Sequence, residues 1–237
     1  PFTVKTLKKS DTRLSQPVVG SVNVSVKRPV EQAVAKPGVF EHWPPQTTSM
    51  TVSVCNGTAA LHLALEAVGL KRGELVLVPP MTFAATAEVV RYFDAIPVLV
   101  DCDRETLCMS VAAARTTLAA LRADKSVAGL APPYGTIRAI IPMHYGGQMV
   151  DVDGMRALAT EYGLSLIEDA AHTLPAAYRR DASSPWRTAG TTGDISCFSF
   201  YANKCITTGE GGMAVTDNDA LAERMRIMSL HGISKDA

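Results

Sequence analysis

Lys204 stands in the segment Ser199-Phe200-Tyr201-Ala202-Asn203-Lys204-Cys205-Ile206-Thr207-Thr208-Gly209-Glu210-Gly211-Gly212, and Asp169 in the upstream Ile167-Glu168-Asp169-Ala170-Ala171-His172. A lysine amine condenses with an aldehyde to an imine, and a carboxylate can keep a pyridine nitrogen protonated. Those are the two groups that pyridoxal 5'-phosphate chemistry requires. A ring kept cationic by Asp169 withdraws electrons from a carbanion formed beside it, while the lysine carries the covalent link and moves the proton. Taken alone, Asp169 also fits a structural carboxylate that caps a turn.

A third segment, Asn56-Gly57-Thr58, follows the apolar Val52-Ser53-Val54 and opens a helical pattern near Ala59. Free backbone N–H groups, the positive end of a helix and a hydroxyl would converge there on an anion. An ordinary N-cap is the simpler account of this tripeptide by itself. The glycines of Gly209-Glu210-Gly211-Gly212 fit a tight turn or a close backbone approach, and the segment is neither a Rossmann fingerprint nor a P-loop.

Extended as Asn56-Gly57-Thr58-Ala59-Ala60-Leu61, these segments resemble the DegT/DnrJ/EryC1/StrS family of pyridoxal phosphate-dependent sugar aminotransferases, from about Val52 to the C-terminus. In that family the cofactor lysine lies in Ser-Phe-x-x-x-Lys-x-x-x-x-Gly-Glu-Gly-Gly, which Lys204 matches in order and spacing. Relatives with histidine at that place act as dehydratases, so the lysine favours the aminotransferase branch. The resemblance implies that Thr58, the Ala59 amide and Ser199 bind the cofactor phosphate, and that Phe83 in Pro80-Met81-Thr82-Phe83 stacks on the pyridine ring. It also implies that His172 contacts the 3-oxygen side of the ring. Without the resemblance, Ser199 is a strand serine, Phe83 a core residue of the following helix and His172 a packed or capping histidine. His144-Tyr145-Gly146-Gly147-Gln148 and His231-Gly232 match family segments with no role assigned.

The implied reaction is transfer of an amino group, with L-glutamate as donor, to a keto group of a nucleotide-linked sugar. The alternatives are pyridoxal phosphate-dependent dehydration of a deoxysugar and a non-catalytic relative that keeps the cofactor domain. Family members build each site at a homodimer interface, and full-length relatives continue beyond His231 into a C-terminal small domain. The resemblance therefore implies a fold type I, aspartate aminotransferase-like large domain over 51–237, an atypical segment over 1–50, and weak cofactor binding with little turnover for these 237 residues alone.

The elements that must position these groups follow from periodicity. Short β-branched runs at 75–78, 98–100, 139–142, 164–167, 195–200 and 213–216 read as buried parallel strands. Helical spacing over 59–68, 82–93, 152–162 and 219–230 alternates with them, which makes the fold α/β with helices covering a mostly parallel sheet. Residues 121–136 and 179–193 read as surface connections. Near the N-terminus, Phe40-Glu41 matches a family element, and Pro44-Pro45 would interrupt any helix after it.

Bulk composition narrows the partners. Lys plus Arg and Asp plus Glu are each 23, so no basic excess points to nucleic acid or an anionic membrane. No run approaches the roughly 18 apolar residues of a membrane helix, and no apolar h-region follows the first lysines; the expectation is a cytoplasmic protein. Five cysteines (Cys55, Cys102, Cys108, Cys197, Cys205) without Cys-x-x-Cys spacing argue against a disulfide framework and a zinc site. Cys205 adjoins the lysine with no base beside it, so packing is its expected role.

Overall fold

The computed structural model describes residues 3–6, 49–127 and 129–234. Phe40-Glu41, Pro44-Pro45 and most of the atypical 1–50 segment lie outside the described residues. The exception at the start is strand β1 (Thr3–Thr6).

The core sheet has seven strands: β2 (Met50–Val54), β3 (Leu75–Val78), β4 (Ile96–Leu99), β5 (Ile137–Ile140), β6 (Ser165–Asp169), β9 (Ile195–Ser199) and β10 (Gly212–Thr216). They lie in the order β2-β10-β9-β6-β5-β3-β4. From β4 to β9 every pairing is parallel, and β10 runs antiparallel between β9 and β2. The two faces separate by alternation along each strand. In β3, Leu75 and Leu77 face one core with α3 (Val111–Arg122) and α4 (Val152–Tyr162), through Leu118, Met155 and Leu158. Val76 and Val78 face the other core with α1 (Gly57–Ala67), α2 (Ala85–Arg91) and α5 (Asp219–Ser229), through Leu65, Val89 and Met225. The result is a three-layer α/β/α body whose strands are buried on both sides, which is why they read as continuous apolar runs.

Local signals start and stop the helices. Ser110, Asp151 and Asn218 cap α3, α4 and α5 by accepting first-turn N–H groups, and Gly163 ends α4 at φ 68°. His231-Gly232 closes the end of α5: the Gly232 N–H bonds Ile227 O at 2.9 Å, and both residues have positive φ.

The strands and helices expected from periodicity are present with ends shifted by a few residues; the 213–216 strand is antiparallel to both neighbours and not parallel, and two further parts differ. Helix α3 was not expected, because Ala112-Ala113-Ala114 and Thr116-Thr117 give little apolar contrast. Its buried Leu121 therefore belongs to a helix and not to a surface connection. The 179–193 stretch is also more than a surface connection. It holds β8 (Arg187–Thr188), which joins β7 (Ala176–Arg179) and β1 in a small antiparallel sheet, and it buries Ala189 and Thr192. The Tyr178 hydroxyl and Thr192 Oγ1 share a hydrogen bond of 3.0 Å beneath it.

Candidate active site

Strand direction brings the sequence-predicted residues to one edge. β6 and β9 are parallel and pair Asp169 with Cys197, so Asp169 and Ser199 both lie at carboxyl ends. β10 starts at that edge with Gly212 opposite Ser199, and β2 ends there with Val54 opposite Gly212. This is where open α/β sheets place their ligands.

At the β2 corner, Asn56 Oδ1 accepts the Ala59 N–H at 2.8 Å and caps α1. The Ala59 amide expected to face a phosphate is thus already paired, and the N–H groups of Gly57 and Thr58 are those of the first turn that have no intrahelical partner. Ser199 lies against this turn: a Cβ on Gly57 would stand 3.0 Å from the Ser199 Cβ. Gly212 is required by the same crowding, because a Cβ there would overlap Asn56 and come within 2.7 Å of the Gly57 nitrogen. The second Gly of the Gly211-Gly212 pair therefore permits a close backbone approach, as its sequence setting indicates.

Asp169 is buried, and its side-chain hydrogen bonds come from neutral donors. Thr86 Oγ1 donates to its Oδ2 at 2.7 Å and the Ala171 N–H reaches its Oδ1 at 3.3 Å. Burial pushes its carboxyl above the ordinary carboxylate range, against the pull of the Thr86 hydroxyl and the Ala171 amide. Glu168 points to the opposite face, as strand alternation requires. It is fully buried there, and its Oε1 accepts the N–H groups of Thr192 (2.9 Å) and Gly193 and the Ser196 hydroxyl (3.1 Å). Its Oε2 meets His144 Nε2 at 2.8 Å. His144 Nδ1 accepts the Val150 N–H at 3.3 Å, which leaves Nε2–H to donate to Glu168. Burial opposes ionisation of Glu168, but these hydrogen bonds, that of His144 foremost, outweigh it and hold the carboxyl below its ordinary value.

Lys204 sits in the loop between β9 and β10. That loop is closed by Tyr201 pairing with Gly209, by the Thr208 N–H on Phe200 O at 3.0 Å, and by the Lys204 N–H on Tyr201 O at 2.9 Å. Among the described residues its ammonium makes no ion pair or hydrogen bond. His172 lies within its electrostatic reach: burial first, then the Lys204 charge, lowers the imidazole pKa, while Asp169 opposes the shift. The Gly146 N–H donates to His172 Nδ1 at 3.2 Å, which leaves Nε2–H as the free donor of a neutral ring.

Phe83 precedes α2 and is 76% exposed, so it is not the core residue its apolar character also allowed. Cys205 is exposed as well, against the expected packing role. The sequence missed Thr86 and the His144–Glu168 pair as parts of the site's frame. No motif marks a threonine inside Ala84-Ala85-Thr86-Ala87, and His144 was visible only as a histidine after a strand.

The donor set fits pyridoxal phosphate. A desolvated carboxylate without a cationic partner suits a protonated ring nitrogen, first-turn N–H groups beside a serine hydroxyl suit a phosphate, and an unpaired amine suits an aldehyde. Among the described residues no group of His, Cys, Asp and Glu side chains could hold a metal ion.

Fold and site define the class: an α/β domain of the pyridoxal phosphate-dependent aminotransferase type. The model of the DegT/DnrJ/EryC1/StrS aminotransferase family matches residues 46–237, and the chain belongs to that family, whose cofactor is pyridoxal phosphate. GDP-perosamine synthase of Caulobacter vibrioides is 42% identical over 178 residues, which are 75% of this chain and 42% of that protein. Spore coat polysaccharide biosynthesis protein SpsC of Bacillus subtilis is 40% identical over 186 residues, 78% of this chain and 42% of that protein. A DegT DnrJ EryC1 StrS aminotransferase from Brucella abortus superposes with a TM-score of 0.68 at 33% identity, over 78% of this chain and 46% of that one. The chain thus spans less than half the length of these relatives.

Proposed function

We propose that the protein is a sugar aminotransferase that moves an amino group from L-glutamate to a keto group of a nucleotide-linked sugar, with residues 51–237 as its cofactor-binding large domain. The observation that carries this is the buried Asp169 carboxylate, hydrogen-bonded by one hydroxyl and one amide, at the same sheet edge as the unpaired Lys204 amine. The identity to GDP-perosamine synthase supports the nucleotide-sugar class of substrate.

Pyridoxal phosphate, when bound, supplies the aldehyde and the electron-withdrawing ring. Thr58, the Gly57 and Thr58 N–H groups and Ser199 hold its phosphate; Ala59, paired to Asn56, keeps that turn in shape. Asp169 keeps the ring nitrogen protonated, Phe83 covers one ring face, and His172 Nε2–H donates toward the 3-oxygen. Lys204 Nζ would anchor the aldehyde and, once free, would carry the proton between the donor's α-carbon and the cofactor's C4′. The exposed Phe83 and Tyr201 leave apolar surface at this edge, which supports a homodimer covering it. Among the described residues no helix is long and apolar enough to cross a membrane.

The test is to incubate the full-length protein with pyridoxal phosphate, a nucleoside diphosphate keto-sugar and 15N-labelled L-glutamate. Appearance of 15N in the sugar nucleotide, with 2-oxoglutarate in equal amount, is the expected result. A deoxygenated sugar product without nitrogen would establish the dehydratase alternative instead.

A further inference from the structure

Thr86 is fully buried in the first turn of α2, and its hydroxyl bridges that helix to the carboxyl end of β6 through the 2.7 Å bond to Asp169 Oδ2. Its one proton is committed to Asp169 Oδ2, so the Thr82 hydroxyl, 2.6 Å away, must donate to it. Thr82 is the residue immediately before Phe83. Helix α2 has no side-chain N-cap, and the turn through Phe83 is closed by the Thr86 N–H on Phe83 O at 3.2 Å together with this hydroxyl pair. One chain of two hydroxyls therefore ties the turn that carries Phe83 to the buried carboxylate.

We propose that Thr86, braced by Thr82, is a positioning residue that fixes Asp169 for the cofactor's ring nitrogen and registers it with the turn that presents Phe83. The inference rests on the assignment of Asp169 and Phe83 as cofactor contacts. A hydroxyl pair that merely caps α2 would contribute to stability and would affect every ligand alike. A positioning role acts on the ring nitrogen.

The experiment compares binding of pyridoxal phosphate with binding of its analogue carrying C–H in place of the ring nitrogen, in the full-length protein and in Thr86→Val and Thr86→Ser. The parent should prefer pyridoxal phosphate. Thr86→Val should weaken pyridoxal phosphate about tenfold, the size of one lost hydrogen bond to a charged group, and the analogue less than about twofold. Thr86→Ser, which keeps the hydroxyl, should bind both as the parent does. Thr86→Ala carries the same expectation should the valine variant not fold. Equal losses for the two ligands, or no loss for either, would overturn the positioning role while leaving Asp169 in place. A parent without preference between them would overturn the assignment of Asp169 and this inference with it.

Discussion

Glu168 and Asp169 are neighbours on one strand, both buried, and they face opposite sides of the sheet. Glu168 is met by His144 Nε2–H, two backbone N–H groups and the Ser196 hydroxyl, and its carboxyl is held below its ordinary value. Asp169 is met by one hydroxyl and one longer amide contact, and burial leaves its carboxyl above its ordinary value. A saturated buried carboxylate serves the fold, whereas one left short of partners is open to a cation that the fold does not itself supply. Lys204, His172 and the α1 turn gather on the Asp169 side, and the Glu168 side contains packing.

The contrast can be broken by substitution. Lys204→Ala should lower aminotransferase activity of the full-length protein on the order of a thousandfold or more, and borohydride reduction with pyridoxal phosphate should label Lys204 in the parent and no residue in the variant. Peptide mapping that finds another labelled lysine would remove Lys204 from the site. Asp169→Asn comes next, with a loss of about a hundredfold in the rate of the glutamate half-reaction and no loss of melting temperature, because the amide cannot hold the ring nitrogen protonated. An unchanged half-reaction rate would place Asp169 with Glu168 as a structural group.

Glu168→Gln should show the reverse pattern. The amide's NH2 must face either His144 Nε2–H or the backbone donors, and a switch of the imidazole tautomer would only move the clash to Val150 N–H, so one buried donor stays unpaired at about 2 kcal/mol. The two carboxylates should also respond oppositely to acid in the cofactor-free protein. Asp169 has a raised folded pKa, so its charge costs stability above the ordinary 3.8, and that cost is relieved as pH falls. Glu168 has a lowered one, so its contribution is present above 4.5 and is lost as pH falls through its folded value. Denaturant titrations over a pH series should show Asp169→Asn gaining on the parent as pH rises from 3.8 towards neutrality, and the Glu168→Gln deficit shrinking below 4.5. Parallel curves for the two variants would erase the distinction.

The smallest effect belongs to Phe83→Ala. The ring is exposed, so the variant should melt with the parent, while pyridoxal phosphate binding measured by fluorescence titration weakens about threefold to tenfold, the range of an aromatic contact. A drop in melting temperature with unchanged binding would return Phe83 to a structural role.

Sequence alone determined the alternation of strands and helices and the segments that carry Lys204, Asp169 and Ser199, because periodicity and motif spacing are local properties. It also indicated a close approach at Gly209-Glu210-Gly211-Gly212 but not the partner, which is the Asn56-Gly57 turn lying far away in the chain. Helix α3 escaped because its alanines and threonines bury one face with little contrast to the other. Only the tertiary structure decided that Phe83 is exposed, and that Thr86 and His144 brace the two carboxylates. The last two facts depend on which elements become neighbours across the sheet, since the Thr86–Asp169 and His144–Glu168 hydrogen bonds join residues 83 and 24 positions apart.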